Sequence, residues 1–208
     1  PELVSNFFFR IPAELSKRDK RFVISHINPN ARIREYQGPI RWLDRAMIVN
    51  IASGVDDPGA ALNMFMSIPS FKCYLIDTGL LITLAFKDRP ILENELCKHI
   101  LLDRLQVNEG MLIENLVAQC LRSNGHRAYF YLERNPATRK KTLEADFLIR
   151  RNERTVPIWV DSSSRISSLE RFKEMFGKRI GDGIVLHQGD LKREGGVAYL
   201  PYYMACVL

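Results

Sequence analysis

Two consecutive extended segments in the second half of the chain constrain its fold more than any other feature. Residues 144–149 read EADFLI and residues 156–162 read VPIWVDS, and a short polar turn separates them. Because the side chains of a strand alternate between its two faces, Asp146, Trp159 and Asp161 are predicted to share one face of a hairpin. The sequence therefore predicts a sheet that presents carboxylates at neighbouring positions on one side.

The segments around this hairpin complete a regular order of elements. The patterns predict, in chain order, a helix at 110–124, strands at 128–132, 144–150 and 155–161, a helix at 167–176 and a strand at 183–188. Ser167 with Glu170 three residues later has the spacing of a capping box, which predicts where the second helix begins. The predicted fold class is α/β (α+β), with an α-β-β-β-α-β core in this half.

The first helix of this core carries an acid on its apolar side. Glu114 shares a helical face with Val117, Ala118 and Leu121, which follow it at i+3, i+4 and i+7. A carboxylate in that position costs free energy unless it is paired or binds a ligand. A functional role and a structural pair with a buried Arg both satisfy this requirement, and we favour the functional role.

The first half has a different order of elements. Short helices are predicted at 11–17, 31–37 and 39–46, with a break at Gly38 and Pro39, and strands are predicted at 47–51 and 71–76. Two helices followed by a two-stranded ribbon is the order of a winged-helix unit, in which the second helix often enters the major groove of DNA. A charged helical connection is predicted at 88–109. We therefore divide the chain into a winged-helix-like domain at 1–105 and a second domain at 106–208.

Positive charge is concentrated in the first half. Residues 10–45 hold nine Lys or Arg and four acids, whereas residues 46–105 hold five and seven, in a chain of net charge +6. A local excess of this kind is typical of a surface that binds phosphate. The candidate nucleic-acid-binding residues are Arg32, Arg34, Arg41 and Arg45. A solvated helical face or a protein-docking module would have the same composition.

Several function classes are disfavoured by the sequence. No apolar run approaches the ~20 residues that a membrane-spanning helix needs, and the N-terminus does not have the pattern of a signal peptide. The four cysteines, Cys73, Cys97, Cys120 and Cys206, show no CxxC spacing. Reduced, buried thiols in a cytoplasmic protein without membrane segments are the expectation.

Six blocks of sequence together resemble one family, the C-terminal domain of unknown function that follows an AAA-type ATPase module in many bacterial and archaeal proteins. The blocks are IPAELS at 11–16, WLDRA at 42–46, FKCYLIDTGLL at 71–81, GMLIENLVAQ at 110–119, EADFLI at 144–149 and VPI at 156–158. The resemblance implies that an ATPase module precedes this chain in a longer protein. The chain itself contains no Gly-x-x-x-x-Gly-Lys-Ser/Thr phosphate loop.

The resemblance also implies a core like that of the PD-(D/E)xK nucleases. It assigns Glu114 and Asp146 to metal coordination. Where the family commonly reads PIEVKS, residues 157–162 read PIWVDS, so Trp159 replaces the acid and Asp161 replaces the Lys. The arrangement of the fold is kept in the sequence, whereas two of its chemical groups are exchanged.

These exchanges change the expected chemistry. Metal-dependent phosphodiester hydrolysis needs carboxylates that hold Mg²⁺ and a Lys near the attacking water. Glu114, Asp146 and Asp161 are the candidate catalytic and metal-binding residues, and together they could hold a divalent cation such as Mg²⁺. Asp161 cannot replace the Lys because its charge is opposite. Cations that could substitute for it are Lys140, Lys141, Arg165 and Lys173.

Three functions are therefore considered. The first is a DNA-associated module of an ATPase with a weakened or inactive nuclease site. The second is an active Mg²⁺-dependent nuclease with a relocated Lys. The third is a module that joins the ATPase to a protein partner. Salt-sensitive DNA binding without cleavage would favour the first, cleavage with metal the second, and neither result the third.

Overall fold

The computed structural model describes residues 1–59, 62–63, 66–86, 109–138, 140–160 and 165–208, which form a mixed α/β fold. The α-helices among them are α1 (Glu2–Leu15), α2 (Ile33–Arg45), α3 (Thr78–Ala85), α4 (Glu109–Ser123) and α5 (Ile166–Phe176). Short 3₁₀ helices occupy Ile24–His26, Gly177–Arg179 and Tyr202–Val207. The strands are β1 (Val49–Val55), β2 (Met66–Leu75), β3 (Tyr129–Arg134), β4 (Lys141–Arg151), β5 (Arg154–Val160), β6 (Gly183–His187), β7 (Lys192–Glu194) and β8 (Val197–Pro201).

The strands form one eight-stranded mixed sheet in the order β2-β1-β3-β4-β5-β6-β8-β7. The pairs β1–β2, β3–β4, β4–β5 and β7–β8 are antiparallel, whereas β1–β3, β5–β6 and β6–β8 are parallel. The ribbon of β1 and β2, which belongs to the first half of the chain, thus extends the sheet of the second half. It does so through two paired positions on β1, Ser53 with Tyr129 and Gly54 with Phe130.

Apolar side chains cover both faces of the sheet. On one face, here called the α4 face, α1, α2 and α4 pack on β1, β2 and one side of the central strands around Phe7, Val117 and Phe147. On the other, the α5 face, Leu169 and Phe172 of α5 pack on Trp159, Val185 and neighbouring residues. Central strands therefore carry apolar residues on both sides, as expected for strands that are covered twice.

The element order that was predicted for the second half is found. Strand β4 is longer than predicted, and α4 and α5 begin and end close to the predicted residues. The predicted capping box is wrong, because Arg165 and not Ser167 is the N-cap of α5 and no side chain caps it. Strands β7 and β8 were not predicted, since their segment is short and rich in charge and glycine.

The predicted helix break at Gly38 and Pro39 is wrong, because α2 runs through both residues. Pro39 lacks the N–H that would donate to the carbonyl group of Glu35, which costs a helix roughly 3 kcal/mol. Tyr36 and Leu43 lie two turns apart, one before and one after Gly38 and Pro39; both are 2% exposed and pack into the α4-face core. Burial of these two large side chains offsets the cost and holds the helix together.

The two-domain division stays a prediction, as do the winged-helix-like and nuclease-like identities. Apart from Glu109, the charged connection at 88–109 lies outside the described residues. Among the described helices, none is both long enough and apolar enough to span a bilayer.

Candidate functional site: a buried cluster of acids and lysines

A bulge in β4 determines where Asp146 points. Tyr129 pairs with Leu148 and Tyr131 pairs with Ala145, so β4 has one residue more than β3 between these pairs. An extra residue of this kind changes the facing of the residues beside it. Ala145 and Leu148 therefore both pack on the α5 face, whereas Phe147 packs on the α4 face. Asp146 lies on the α4 face as well, within ion-pair distance of residues that belong to it.

Glu114 approaches the same position from α4. Its carboxylate is buried, and its Oε2 accepts a hydrogen bond from the Tyr74 hydroxyl at 2.9 Å. The next residue fixes the helix, since Asn115 Oδ1 accepts from the Leu75 backbone N–H at 2.8 Å and its Nδ2 donates to Thr78 Oγ1 at 3.1 Å. The blocks around residues 71–81 and 110–119 are thus in direct contact.

Two lysines from the first half complete the cluster. Lys72 on β2 places Nζ 3.6 Å from Glu114 Oε2 and 3.9 Å from Asp146 Oδ1. Lys20 places Nζ 2.5 Å from Glu114 Oε1. The Lys72 side chain is 5% exposed, and its ammonium group also lies 5.2 Å from the ring centre of Phe130. Two ammonium groups and two carboxylates therefore meet inside the protein.

The protonation of the cluster follows from these contacts. Burial lowers the pKa of Lys72, but the charges of Glu114, Asp146 and Glu144 outweigh it and raise this pKa above its usual value. Burial raises the pKa of Glu114, but Lys72 and Lys20 outweigh it and hold this pKa below its usual value. Burial and then the Glu114 charge raise the pKa of Asp146 to about 6. Lys72 and Glu114 are thus charged at neutral pH, and Asp146 is the acid closest to protonation.

The described residues of this arrangement do not provide the ligands that a divalent cation needs. Mg²⁺ requires near-octahedral oxygen ligands at about 2.0–2.1 Å. Both oxygens of Glu114 are engaged by Lys20, Tyr74 and Lys72, and Asp146 Oδ2 accepts a hydrogen bond from the Val160 backbone N–H at 2.9 Å. Within the described ranges no three His, Cys, Asp or Glu residues are grouped to hold a metal ion. An ammonium group lies where the resemblance predicts a cation between the acids.

The predicted position of Trp159 is wrong. It was expected beside Asp146, but its side chain is fully buried on the α5 face, where its ring contacts that of Phe172 and its Nε1 donates to the Glu144 carbonyl group. The bulge separates the two residues, because it turns Asp146 to the α4 face while β5 keeps its regular alternation. Asp161 lies outside the described residues, so its predicted role stays a prediction.

The cations that were proposed to replace the missing Lys have other positions. Lys141 Nζ pairs with Glu144 Oε1 at 2.7 Å, and Lys173 Nζ pairs with Asp182 Oδ1 at 3.5 Å. Lys140 and Arg165 also form no ion pair with Glu114 or Asp146 in the described part of the chain. Lys72, which sequence reasoning missed, is the lysine that lies near both acids among the described residues. Its signal was a single Lys inside the apolar run FKCYLI, since a buried Lys almost always has a charged partner.

The predicted phosphate-binding arginines lie on or beside α2, and all four are exposed. Arg34, Arg41 and Arg45 follow one another at helical spacing along its outer face, and Arg32 is the N-cap. None of the ion pairs between described residues involves them. A methyl group added at Gly38, which lies between Arg34 and Arg41, would meet no atom within 4 Å. The outer face of α2 is thus open and basic.

A second basic surface lies beside the buried cluster. A cleft of about 470 Å³ is lined by Arg18, Asp19, Arg134, Lys140 and Lys141. Asp19 is neutralised there by Arg21 and Arg134, at 2.8 Å and 2.6 Å. The segment that provides Lys20 to Glu114 thus also forms part of a surface with excess positive charge.

Comparison with known proteins gives one finding, which concerns the second half. The model of a family described as a domain of unknown function, DUF4143, matches residues 109–204, less than half of the chain. No curated protein and no solved structure matches the sequence. The matched residues include Glu114 and Asp146, whereas Lys20 and Lys72 precede them.

Proposed function

We propose that this chain is the nucleic-acid-associated module of an AAA-type ATPase and that its nuclease-like core does not cleave. The observation that carries the proposal is the Lys72 ammonium group between Glu114 and Asp146. It neutralises acids that, in an active site of this class, would be free to hold Mg²⁺. The ATPase connection rests on the six blocks that resemble a domain following such a module.

The replacement of the acid at position 159 supports the loss of cleavage. Position 159 carries a Trp that packs in the apolar core of the α5 face. Its side chain therefore cannot act as a metal ligand. With Glu114 bound to Lys20 as well as to Lys72, a metal ion would have to displace two charge-assisted contacts. The cluster therefore has a structural role, which is to hold β2 and the Lys20 segment against α4 and β4.

The nucleic-acid role is supported by the exposed arginines of α2. Arg34, Arg41 and Arg45 project from one helical face, and Gly38 leaves the backbone open between them. Guanidinium groups at this spacing suit the phosphates of a nucleic acid. Sequence-independent contacts of this kind produce binding that weakens steeply with salt.

The test is DNA binding and cleavage by the purified protein. Arg41→Ala with Arg45→Ala should weaken binding equally for unrelated DNA sequences and should reduce the slope of log K against log salt by about 2. The matched control is Lys178→Ala with Arg179→Ala, which removes the same charge near α5 on the opposite face of the sheet and should leave the slope almost unchanged. Equal effects of the two pairs would refute the assignment to α2.

Cleavage is measured in the same samples with Mg²⁺ and with Mn²⁺. We expect no cleavage by the parent protein. Absence of both binding and cleavage would instead support the third function, a module that docks a protein partner. A phosphate-loop motif in the coding sequence upstream of Pro1 would support the ATPase connection, and an unrelated upstream sequence would contradict it.

Lys72 also favours the second candidate function, an active nuclease with a relocated Lys. Its Nζ is near both acids, and the pKa values of Glu114 and Asp146 are shifted in opposite directions, as in sites that separate acid and base roles. A parent protein that cleaves, and that loses cleavage in Lys72→Met, Glu114→Gln and Asp146→Asn while remaining folded, would establish this candidate and refute the first.

A further inference from the structure

Two thiols from distant parts of the chain lie side by side at the end of α4. Cys120 in α4 and Cys206 in the 3₁₀ helix Tyr202–Val207 are separated by 86 residues, and their Sγ atoms lie 2.7 Å apart. The surrounding contacts hold the two segments in place, since His126 Nε2 lies 3.1 Å from the Leu208 carbonyl oxygen. Both cysteines are free thiols.

We propose that Cys120 and Cys206 form a redox modification site, in which a small disulfide such as oxidised glutathione converts the two thiols to an intramolecular disulfide. The proposal is independent of the function proposed above. It differs from the expectation of buried thiols, because Cys206 is exposed while Cys120 is only 5% exposed. Exposure of one thiol and burial of its neighbour fix the order of the reaction.

The exposed Cys206 reacts first. Its thiolate attacks one sulfur of oxidised glutathione, forms a mixed disulfide and releases one glutathione thiolate. Cys120 Sγ then attacks Cys206 Sγ, which forms the protein disulfide and expels the second glutathione thiolate. The two thiol protons end on the two glutathione molecules. The dithiol is thus oxidised by two electrons, and one oxidised glutathione is reduced to two reduced ones.

Burial and the hydrogen bond with Cys206 raise the pKa of Cys120 to about 12, so Cys120 does not start the reaction from solution. Cys120 acts as the resolving thiol, and for that role its closeness to Cys206 matters more than the fraction of Cys120 that is a thiolate at equilibrium. Cys73 is an internal comparison, because it is 1% exposed and burial raises its pKa well above the usual value. We expect Cys73 to stay reduced in the folded protein.

The disulfide would tether the C-terminal 3₁₀ helix to α4, the helix that carries Glu114. It would also close a long loop in the unfolded chain, which restricts that state and raises the melting temperature. The oxidised protein should therefore melt at a higher temperature than the reduced protein, and dithiothreitol should reverse the difference.

The experiment uses the folded protein in a Cys97→Ser background, so that the three remaining thiols all lie in described residues. Treatment with oxidised glutathione should remove two titratable thiols, lower the mass by about 2 Da and yield a peptide that links Cys120 to Cys206. Cys120→Ser should instead keep glutathione on Cys206, with a mass gain of about 305 Da. Cys206→Ser should remain unmodified.

Three results would overturn the proposal. They are a linked peptide that contains Cys73, a parent protein that keeps glutathione on Cys206 without the internal link, and a parent protein that keeps all its thiols. The first two are read by mass spectrometry on the parent protein, so they do not depend on the folding of a variant. Circular dichroism before and after oxidation verifies that the protein stays folded.

Discussion

Replacement of Lys72 by Met tests whether the buried ammonium group holds the acid cluster together. Met keeps an unbranched side chain of similar size and removes only the charge. With an effective dielectric constant near 20, the separations of 3.6 Å and 3.9 Å correspond to attractions of about 4.6 and about 4.3 kcal/mol with Glu114 and Asp146. The cost of burying the ammonium, several kcal/mol, offsets part of this sum. We expect Lys72→Met to lower the free energy of unfolding by about 3–5 kcal/mol, the usual cost of leaving a buried charge without its partner.

The assay is urea denaturation at pH 7, followed by circular dichroism. The matched control is Lys141→Met, because Lys141 Nζ lies 2.7 Å from Glu144 Oε1 but the two side chains are 26% and 24% exposed. A partly exposed ion pair of this kind contributes about 0–1 kcal/mol. The contrast between the two lysines therefore isolates burial, since the residue type and the substitution are the same.

A double-mutant cycle adds a direct measure of the interaction. Asp146→Asn in the Lys72→Met background removes one of the acids that lost its partner, so the two changes together should cost less than the sum of each alone. Residues in one ion-pair network are coupled by about 0.5–3 kcal/mol. A Lys72→Met protein as stable as the Lys141→Met control, or a cycle with no coupling, would refute the structural role of Lys72.

Three further predictions concern single positions. The pKa of Asp146 is raised from 3.8 to about 6, so between these pH values the folded protein holds a proton that the unfolded chain has released. The stabilisation by this proton is complete below pH 3.8 and is lost as the pH rises through about 6. The full contribution is roughly 3 kcal/mol, of which about 2 kcal/mol remains at pH 4.5, because the unfolded carboxyl group is already mostly ionised at that pH. Between pH 4.5 and pH 7 the parent protein should therefore lose about 2 kcal/mol more of its free energy of unfolding in urea than Asp146→Asn does, and an equal change in the two proteins would contradict the shift. Trp159→Glu would bury a carboxylate in the apolar core of the α5 face, so thermal unfolding should show a free energy of unfolding lower by at least about 3 kcal/mol. Calorimetry should show no gain in Mn²⁺ affinity, and Trp159→Phe is the milder control. A stable Trp159→Glu variant that binds Mn²⁺ would show that position 159 faces the acids. Gly38→Ala should raise the free energy of unfolding by about 0.5–1 kcal/mol, because the added methyl group meets open space in a helix interior. A lower free energy of unfolding would show that α2 requires glycine at this position.

Local patterns were sufficient to predict most elements of the second half. Helix α4 has an apolar repeat of helical period, and strands β3 to β6 are short runs rich in β-branched and aromatic residues, which favour strands. The break in α2 was predicted wrongly for the opposite reason, because Gly38 and Pro39 are local signals and the packing of Tyr36 and Leu43 is a tertiary effect. Strand β8 was missed because its burial depends on β6, which lies beside it only after the sheet has formed.

The candidate site was predictable in its acids and not in its cations. Glu114 stood out as a carboxylate on an apolar helix face, and the structure places it near Asp146 as the resemblance implied. Lys72 lies 42 residues before Glu114 in the sequence, and its contact depends on the parallel pairing of β1 with β3. The opposite facing of Trp159 depends on the bulge in β4, and neither register nor bulge can be read from period-two alternation alone.

The two acids and the two lysines of the buried cluster balance one another in charge. In a metal site the carboxylates of Glu114 and Asp146 would be neutralised by a divalent cation, whereas here Lys20 and Lys72 bring the same two positive charges. Both lysines precede the residues that the family model matches, so the first half of the chain neutralises acids that belong to the second. Loss of Glu114 would take from Lys20 its ion pair in this cluster, and loss of Lys72 would take from the buried Asp146 its ion pair. The four groups therefore stabilise the attachment of β2 and the Lys20 segment to α4 and β4.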